Sequence, residues 1–185
     1  MIYNVSQLLK SAPGATLDVE LDNDDDLNLQ DGEAELAGPV TGQVRLHRTN
    51  QGIFADGMVT TAVKLICDRC LSDFTTPLTF PVHEEFYPTI DVTTGAPLQT
   101  IHGEDAFPID RNHVLDMREA IRQNLVLALP VRALCREDCA GLCPQCGKNL
   151  NDGACDCQPE PTDERFAALR ELLVDAAPDA GSGAN

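Results

Sequence analysis

The stretch from residue 53 to residue 82, IFADGMVTTAVKLICDRCLSDFTTPLTFPV, decides the fold. Apolar and polar residues alternate on both sides of a Cys-x-x-Cys motif formed by Cys67 and Cys70. Alternation with a period of two is typical of strands that are buried on one face. We therefore predict one strand over residues 53–66, a second over 74–82, and the cysteine motif at the tip of the hairpin that joins them.

Similar patterns on either side of the hairpin extend the body. Residues 40–47 alternate in the same way and predict a preceding strand. Pro77 and Pro81 each remove a backbone donor, which places the strand that contains them at a sheet edge or a bulge. Residues 114–129 carry apolar side chains at helical spacing after Asn112, a capping residue, and predict a long helix.

The chain of 185 residues is long enough for one domain with a core and a small appended module. We predict an α+β fold, in which an antiparallel β-rich body with flanking helices precedes a C-terminal cysteine module that is zinc-ribbon or knuckle-like. The predicted segments are the body with its long closing helix (1–130), an acidic loop within it (18–35), a mobile loop within it (88–103), the cysteine module (131–160), a helix that docks on the body (161–178) and a disordered tail (179–185).

The cysteines are the chemically informative residues, because six of the eight fall between positions 135 and 157. Closely spaced thiolates bind metal, and Zn²⁺ takes four of them in a tetrahedron. The spacing of Cys143, Cys146, Cys155 and Cys157 assigns these residues to one site. A shell of four thiolates leaves no position for water or substrate, so such a site is structural.

The remaining cysteines, Cys67, Cys70, Cys135 and Cys139, would form a second site that ties the hairpin tip to the module. Two alternatives stay open. Cys67 and Cys70 would be a reduced, metal-free pair at a turn, or a single site would use Cys135 or Cys139 in place of Cys155. The sequence thus predicts one or two Zn²⁺ per chain.

A disulfide framework is the competing interpretation of the cysteines, and it requires an oxidising compartment. Residues 1–10 do not have the pattern of a signal peptide. The longest apolar stretch, residues 125–131, contains a proline and is too short to cross a bilayer, so no membrane association is expected. We therefore expect a cytoplasmic protein with reduced, metal-binding thiols.

The charge of the chain bears on its partners. With 30 acidic and 13 basic residues the formal net charge is −17, which disfavours bulk electrostatic binding of nucleic acid and favours basic proteins. The simpler interpretation is that the charge keeps the protein soluble. We find no nucleophile elbow, phosphate-binding glycine loop or paired-carboxylate pattern, so we predict that the protein is not an enzyme.

Several motifs together resemble the YceD family, the large ribosomal RNA subunit accumulation proteins. The motifs are CDRCL at 67–71, LALP at 127–130, CAGLCPQCGKNLN at 139–151, CDC at 155–157 and DERFAAL at 163–169. The last of these resembles the closing helix of the family, except that Glu164 stands where a proline is usual. The resemblance covers residues 40–173 and is weak over the acidic N-terminal segment.

This resemblance implies a cytosolic bacterial protein needed for accumulation of large-subunit ribosomal RNA. We predict a non-enzymatic ribosome-biogenesis factor with structural zinc, whose acidic surface engages a basic ribosomal protein or an assembly intermediate, with indirect association with rRNA. One alternative is a zinc-ribbon protein that binds rRNA directly through Arg132, Arg136 and Lys148. Another is a switch that responds to oxidation of its thiols and release of zinc.

Overall fold

The computed structural model describes residues 1–23, 27, 29, 34–98 and 106–157. This part of the chain is rich in strands and has few helices, as predicted. The strands are β1 (Ile2–Asn4), β2 (Thr16–Asn23), β3 (Glu35–Leu36), β4 (Val40–Arg48), β5 (Ile53–Ile66), β6 (Asp73–Pro88), β7 (Phe107–Ile109) and β8 (Val114–Asp116). The helices are α1 (Ser6–Lys10), α2 (Arg118–Ala128) and a 3₁₀ turn (Leu150–Asp152).

All eight strands belong to one sheet, in the order β1-β8-β7-β6-β5-β4-β2, with β3 paired to β5 beside β4. Neighbouring strands are antiparallel except β6 and β7, which are parallel. The predicted antiparallel arrangement therefore holds apart from that one short pair.

The sheet is curled, so that its two outermost strands approach each other. The hydroxyl of Tyr3 in β1 donates a hydrogen bond to the backbone oxygen of Glu20 in β2, at 3.1 Å. The helices fill the concave side, where Leu9 of α1 and Ile121 of α2 share one hydrophobic core with Phe80 of β6. The hydrophobic effect thus holds the body together through a single core on one face of the sheet.

The long hairpin of β5 and β6 supports the cysteines. Strand β5 has the predicted bounds, whereas β6 extends beyond the predicted strand, as far as Pro88. Among the described residues, β6 pairs along its outer side with β7 alone, beginning at Phe86. Pro77 and Pro81 therefore lie where β6 is a sheet edge, as predicted, and their missing donors cost no ladder hydrogen bond.

The predicted acidic loop over residues 18–35 is wrong at both ends. Residues 18–23 belong to β2, and Glu35 begins β3. The reason is that apolar and acidic residues alternate in this segment. Val19 and Leu21 pair with β4 on the core side, and Leu21 is fully buried. The acidic side chains between them face solvent. Most of the intervening residues lie outside the described part of the chain.

The predicted helix over residues 114–129 begins four residues too early. Its first residues form β8, which pairs with β1 through Tyr3 and Leu115. This long-range pairing satisfies backbone groups that the sequence pattern assigned to a helix. Asn112 does not cap α2, because the helix begins at Arg118 and Met117 holds the N-cap position. Asn112 lies in the preceding turn, where its backbone N–H donates to the Asp110 carboxylate at 2.8 Å.

The described part of the predicted loop over residues 88–103 contains a hydrogen-bonded turn. The Asp91 carboxylate accepts backbone hydrogen bonds from Thr93 at 3.0 Å and Thr94 at 2.6 Å. Predictions for three segments fall outside the described residues: the rest of that loop (99–103), the C-terminal helix (161–178) and the tail (179–185).

Candidate metal centres

The first group of cysteines is built from two distant segments. Cys67 and Cys70 lie in the turn between β5 and β6, where the N–H of Leu71 donates to the Cys67 carbonyl at 2.9 Å. Leu71 has a φ of 57°, in the left-handed region, which closes the turn tightly. Cys135 and Cys139 come from the segment after α2 and lie against this turn.

The two residues between Cys67 and Cys70 fasten the segments together. The N–H of Asp68 donates to the Ala133 carbonyl at 2.8 Å, and the Asp68 carboxylate accepts from the N–H of Ala133 at 2.7 Å. The Arg69 guanidinium donates to the Cys139 carbonyl at 2.9 Å. No sequence pattern predicts these roles, because an acid and a base between two cysteines are also common at exposed turns.

The sulfur atoms of this group approach one another closely. The Sγ atoms of Cys67 and Cys139 are 3.8 Å apart, and those of Cys70 and Cys135 are 3.7 Å apart. All four lie within 4.8 Å of one another. A disulfide requires about 2.05 Å, so these are free thiols arranged around a common point.

This first group is enclosed by protein. Cys67, Cys70 and Cys139 are buried, and a small hydrophobic cluster separate from the main core surrounds them. Its apolar members are Phe74, Leu134 and Leu142. Thiolates placed here are poorly solvated, so the group favours a bound cation that offsets part of their negative charge.

The second group lies within the module itself. Cys143, Cys146, Cys155 and Cys157 also place their sulfur atoms within 4.8 Å of one another. The N–H of Gly147 donates to the Cys143 carbonyl at 2.9 Å, and the φ of 71° at Gly147 turns the backbone back over the group. Cys146 and Cys157 are exposed, so this group is open to solvent where the first is closed.

The two groups are the same two sets that spacing assigned, and the structure does not mix Cys135 or Cys139 into the second set. In the described range 131–157 the module contains an isolated bridge between Leu142 and Asn149 and the 3₁₀ turn. The module lacks the extended strands of a zinc ribbon within that range.

Each group combines thiols that ionise easily with thiols that do not. Backbone N–H groups of Cys135 and Cys70 lower the pKa of Cys67 to about 6. Desolvation and the surrounding sulfur atoms raise the pKa of Cys135 to about 12. The Asn151 side chain is the main cause that lowers the pKa of Cys139. Four thiolates this close together repel one another, so all four can be ionised together when a cation lies among them.

The second group shows the same division. Backbone N–H groups of Cys146 and Gln145 lower the pKa of Cys143 to about 6. Hydrogen bonding to the Cys146 side chain, followed by desolvation, raises the pKa of Cys157 to about 12. The lowered pKa values mark thiolates that are stabilised in advance, Cys67 and Cys139 in the first group and Cys143 in the second, and a bound cation would have to drive ionisation of Cys135 and Cys157. Each group can hold a metal ion.

Comparison with known proteins matches this chain to a protein family. The family described as "Large ribosomal RNA subunit accumulation protein YceD" matches residues 55–173, a range that includes both cysteine groups. The chain belongs to the YceD family. The resemblance seen in the sequence motifs is thereby confirmed.

Curated relatives of this YceD protein occur in plants and mycobacteria. It is 30% identical over 157 residues to the chloroplastic large ribosomal RNA subunit accumulation protein YCED homolog 1 of Arabidopsis thaliana, covering 72% of the chain and 48% of the relative. It is 31% identical over 163 residues to the homolog of Zea mays, covering 72% and 55%. An uncharacterized protein of Mycobacterium tuberculosis is 31% identical over 137 residues, covering 70% and 60%.

This YceD chain thus spans about half to three fifths of the length of the relatives it matches. No solved structure matches it. Among the described residues, no helix combines the length and the apolar character needed to cross a bilayer.

Proposed function

We propose that this YceD protein is a non-enzymatic, cytoplasmic factor in biogenesis of the large ribosomal subunit, with two structural Zn²⁺ ions. The family match over residues 55–173 carries this proposal, since the family is named for accumulation of large-subunit ribosomal RNA. The two cysteine groups supply the metal part of it. The partner that we propose is a basic ribosomal protein or an assembly intermediate that contains one.

The choice of zinc follows from the geometry of the thiols. With Zn–S bonds of about 2.3 Å, the edge of a regular tetrahedron is about 3.8 Å. The Cys67–Cys139 and Cys70–Cys135 sulfur separations, 3.8 and 3.7 Å, match that edge. Four thiolates suit a soft or borderline ion and fill its shell. The metal would therefore fix the module without taking part in a reaction.

Metal analysis tests this part directly. Tag-free protein purified under reducing conditions should contain two zinc ions per chain. The measurement is the zinc concentration from elemental mass spectrometry divided by the protein concentration. Replacing Cys143 and Cys146 by serine should leave one ion, and so should replacing Cys67 and Cys70. A wild-type chain with no zinc, or with intramolecular disulfides, contradicts the metal proposal.

The outer face of the sheet supports the proposal of a basic partner. The side chains of Asp18, Glu20 and Asp56 lie on this uncovered face, beside a groove of about 570 Å³ between β2, β4 and β5. Asp18 pairs with Arg45 at 2.6 Å and Asp56 with His83 at 3.1 Å. Since the groove is lined by three carboxylates and one arginine, it retains excess negative charge. Together with the net charge of −17, this face favours cationic segments of a partner.

A pulldown from growing cells at low and high salt, with protein and RNA both identified, tests the partner. Changing Glu20 and Asp56, which line the groove, to lysine should weaken capture of a basic ribosomal protein. The matched control changes Glu137 and Asp138, exposed in the module, to lysine and alters the net charge equally. Binding that is insensitive to salt, or equally weakened by both variants, argues against docking on the sheet face.

Direct binding of rRNA by the module is the weaker candidate. Two of the three cations that would contact phosphate are engaged within the protein. The Arg136 guanidinium donates to the Asn151 side chain and pairs with Asp138 at 3.4 Å, and Lys148 donates to the Ala154 carbonyl at 2.7 Å. A gel shift with rRNA fragments, with and without chelator, separates this candidate from protein binding.

A further inference from the structure

We propose that Asn151 is a positioning residue that couples the two metal centres. The first group, Cys67, Cys70, Cys135 and Cys139, forms the buried centre, and the second group, Cys143, Cys146, Cys155 and Cys157, forms the exposed centre. Asn151 belongs to the loop of the exposed centre and holds the Cys139 thiolate of the buried centre. This inference rests on the proposed binding of zinc by both groups. Asn151 lies between Cys146 and Cys155, two ligands of the exposed centre, yet its side chain reaches the buried centre.

The side-chain amide of Asn151 uses all of its polar atoms. Its Oδ1 accepts hydrogen bonds from the backbone N–H of Ala140 at 2.9 Å and from the Arg136 guanidinium at 2.5 Å. Its Nδ2 donates to the Sγ of Cys139 at 3.4 Å and to the Oδ1 of Asn149 at 2.7 Å. Because Ala140 N–H and the guanidinium can only donate, the oxygen must face them and the NH₂ must face the sulfur.

An N–H group directed at a thiolate stabilises its charge and fixes its direction toward the metal. Residues that hydrogen-bond to metal ligands in this way typically change metal affinity by about 10–100-fold when mutated. Asn151 also orients the chain at Ala140, the residue that follows Cys139. It therefore acts on both the charge and the position of one ligand.

The rest of the loop is fastened to the buried centre as well. The N–H of Leu150 donates to the Gly141 carbonyl at 2.8 Å, and the Asn149 amide donates to the hydroxyl of Ser72 at 3.4 Å, beside the hairpin tip. The Asn149 Oδ1 accepts from the backbone N–H of Asn151 at 3.0 Å. A loop closed by metal at the exposed centre thus presents Asn151 in place.

Coupling of this kind is reciprocal, because each ion alters the binding free energy of the other by the same amount. Zn²⁺ at the exposed centre should raise the affinity of the buried centre, and the reverse should hold. Without Asn151 the two centres should bind their ions independently.

The test measures the zinc affinity of the buried centre in the full chain by competition with a chromophoric chelator. Asn151→Asp keeps the shape but replaces the donor by a carboxylate beside the thiolate, and should weaken the buried centre about tenfold or more. The matched control, Val131→Asp, adds the same charge to the module at a fully exposed side chain and keeps every contact of Asn151, so its affinity should stay close to that of wild type.

A double-mutant cycle separates coupling from simple damage. Cys157→Ser, at an exposed ligand, removes the exposed centre. It should weaken the buried centre when Asn151 is present and have no further effect in the Asn151→Asp chain. Asn151→Ala, which removes the donor without adding charge, should also weaken the buried centre, and circular dichroism of the sheet reports whether each variant is folded.

Three outcomes overturn the proposal. One is equal affinity in the Asn151→Asp and Val131→Asp chains. Another is a Cys157→Ser effect of the same size with and without the amide. A third is a folded Asn151→Ala chain that binds zinc at the buried centre as tightly as wild type. A wild-type chain that binds no zinc overturns the proposed zinc centres themselves, which is a distinct result.

Discussion

The sulfur atoms of Cys67 and Cys139 lie 3.8 Å apart although 72 positions separate them in the sequence. The first group of cysteines, the proposed buried centre, therefore joins the hairpin tip to a segment that follows α2. The side chains around it form a cluster distinct from the core of the body. Stability of the body and of the module should accordingly respond to different perturbations.

Removal of metal should loosen the module and leave the sheet folded. The reason is that the body has its own buried core, whereas the module depends on the two cysteine groups. After treatment with a strong chelator, hydrogen exchange should accelerate at the amides of Asp68 and Ala133, which bond across the first centre. The amides of β4 should keep their protection, and cooperative unfolding of the entire chain on chelation would refute this separation.

Substitution of Gly57 should destabilise the sheet. A Cβ atom at this position would clash with the backbone oxygen of Gln43 and lie 2.7 Å from the Cα of Val44. Overpacking of this kind costs about 1–3 kcal/mol, so Gly57→Ala should lower the free energy of unfolding in urea by that amount. Gly38→Ala is the control, since its Cβ would lie 3.4 Å from that of Ala62, an ordinary contact.

Two leucines of α2 should respond very differently to the same truncation. Leu125 is completely buried in the core, whereas Leu127 is 82% exposed. Leu125→Ala should reduce the free energy of unfolding by about 2–5 kcal/mol because it leaves a cavity. Leu127→Ala should change it by less than about 0.5 kcal/mol. Similar losses in both variants would contradict the placement of α2.

Glu119 should contribute to stability only above acidic pH. Hydrogen bonds from Arg122 and Gln123 lower its pKa to about 2, compared with about 4.3 in an unfolded chain. A lowered folded-state pKa means that the contribution is present above pH 4.3 and is lost as the pH falls toward 2. Since the Glu119 side chain is 53% exposed, solvent screening keeps the contribution below about 1 kcal/mol.

The measurement compares urea unfolding of wild type and Glu119→Gln at pH 7 and pH 3. The wild type should be slightly more stable at pH 7, and the difference should shrink at pH 3. A difference that grows on acidification would show that the Arg122 contact does not stabilise the folded state.

Local patterns were sufficient to predict the centre of the fold. The alternation in β4 and β5 and the position of Cys67 and Cys70 at a hairpin tip were correct, because the core side of each strand is marked by apolar residues. Spacing also grouped the cysteines into the two sets whose sulfur atoms the structure brings within 4.8 Å of one another, and the binding of an ion by each set stays a prediction.

Long-range pairing explains what the patterns missed. Residues of β8 have helical spacing with α2, and pairing with β1 on one side and β7 on the other makes them a strand. In β2 the alternation of Val19 and Leu21 was obscured by the density of acidic residues. The role of Asn151 depends on a contact with Cys139, 12 positions away. An asparagine in a polar loop does not by itself predict such a contact.

The separation of the first centre along the chain has a consequence during synthesis. Cys70 leaves the ribosome 65 residues before Cys135, which at about 5–20 residues per second corresponds to about 3–13 s. During that interval the nascent polypeptide carries two adjacent thiols without their partners, open to premature oxidation. A disulfide formed between Cys67 and Cys70 in that interval would keep the four sulfur atoms of this group from meeting.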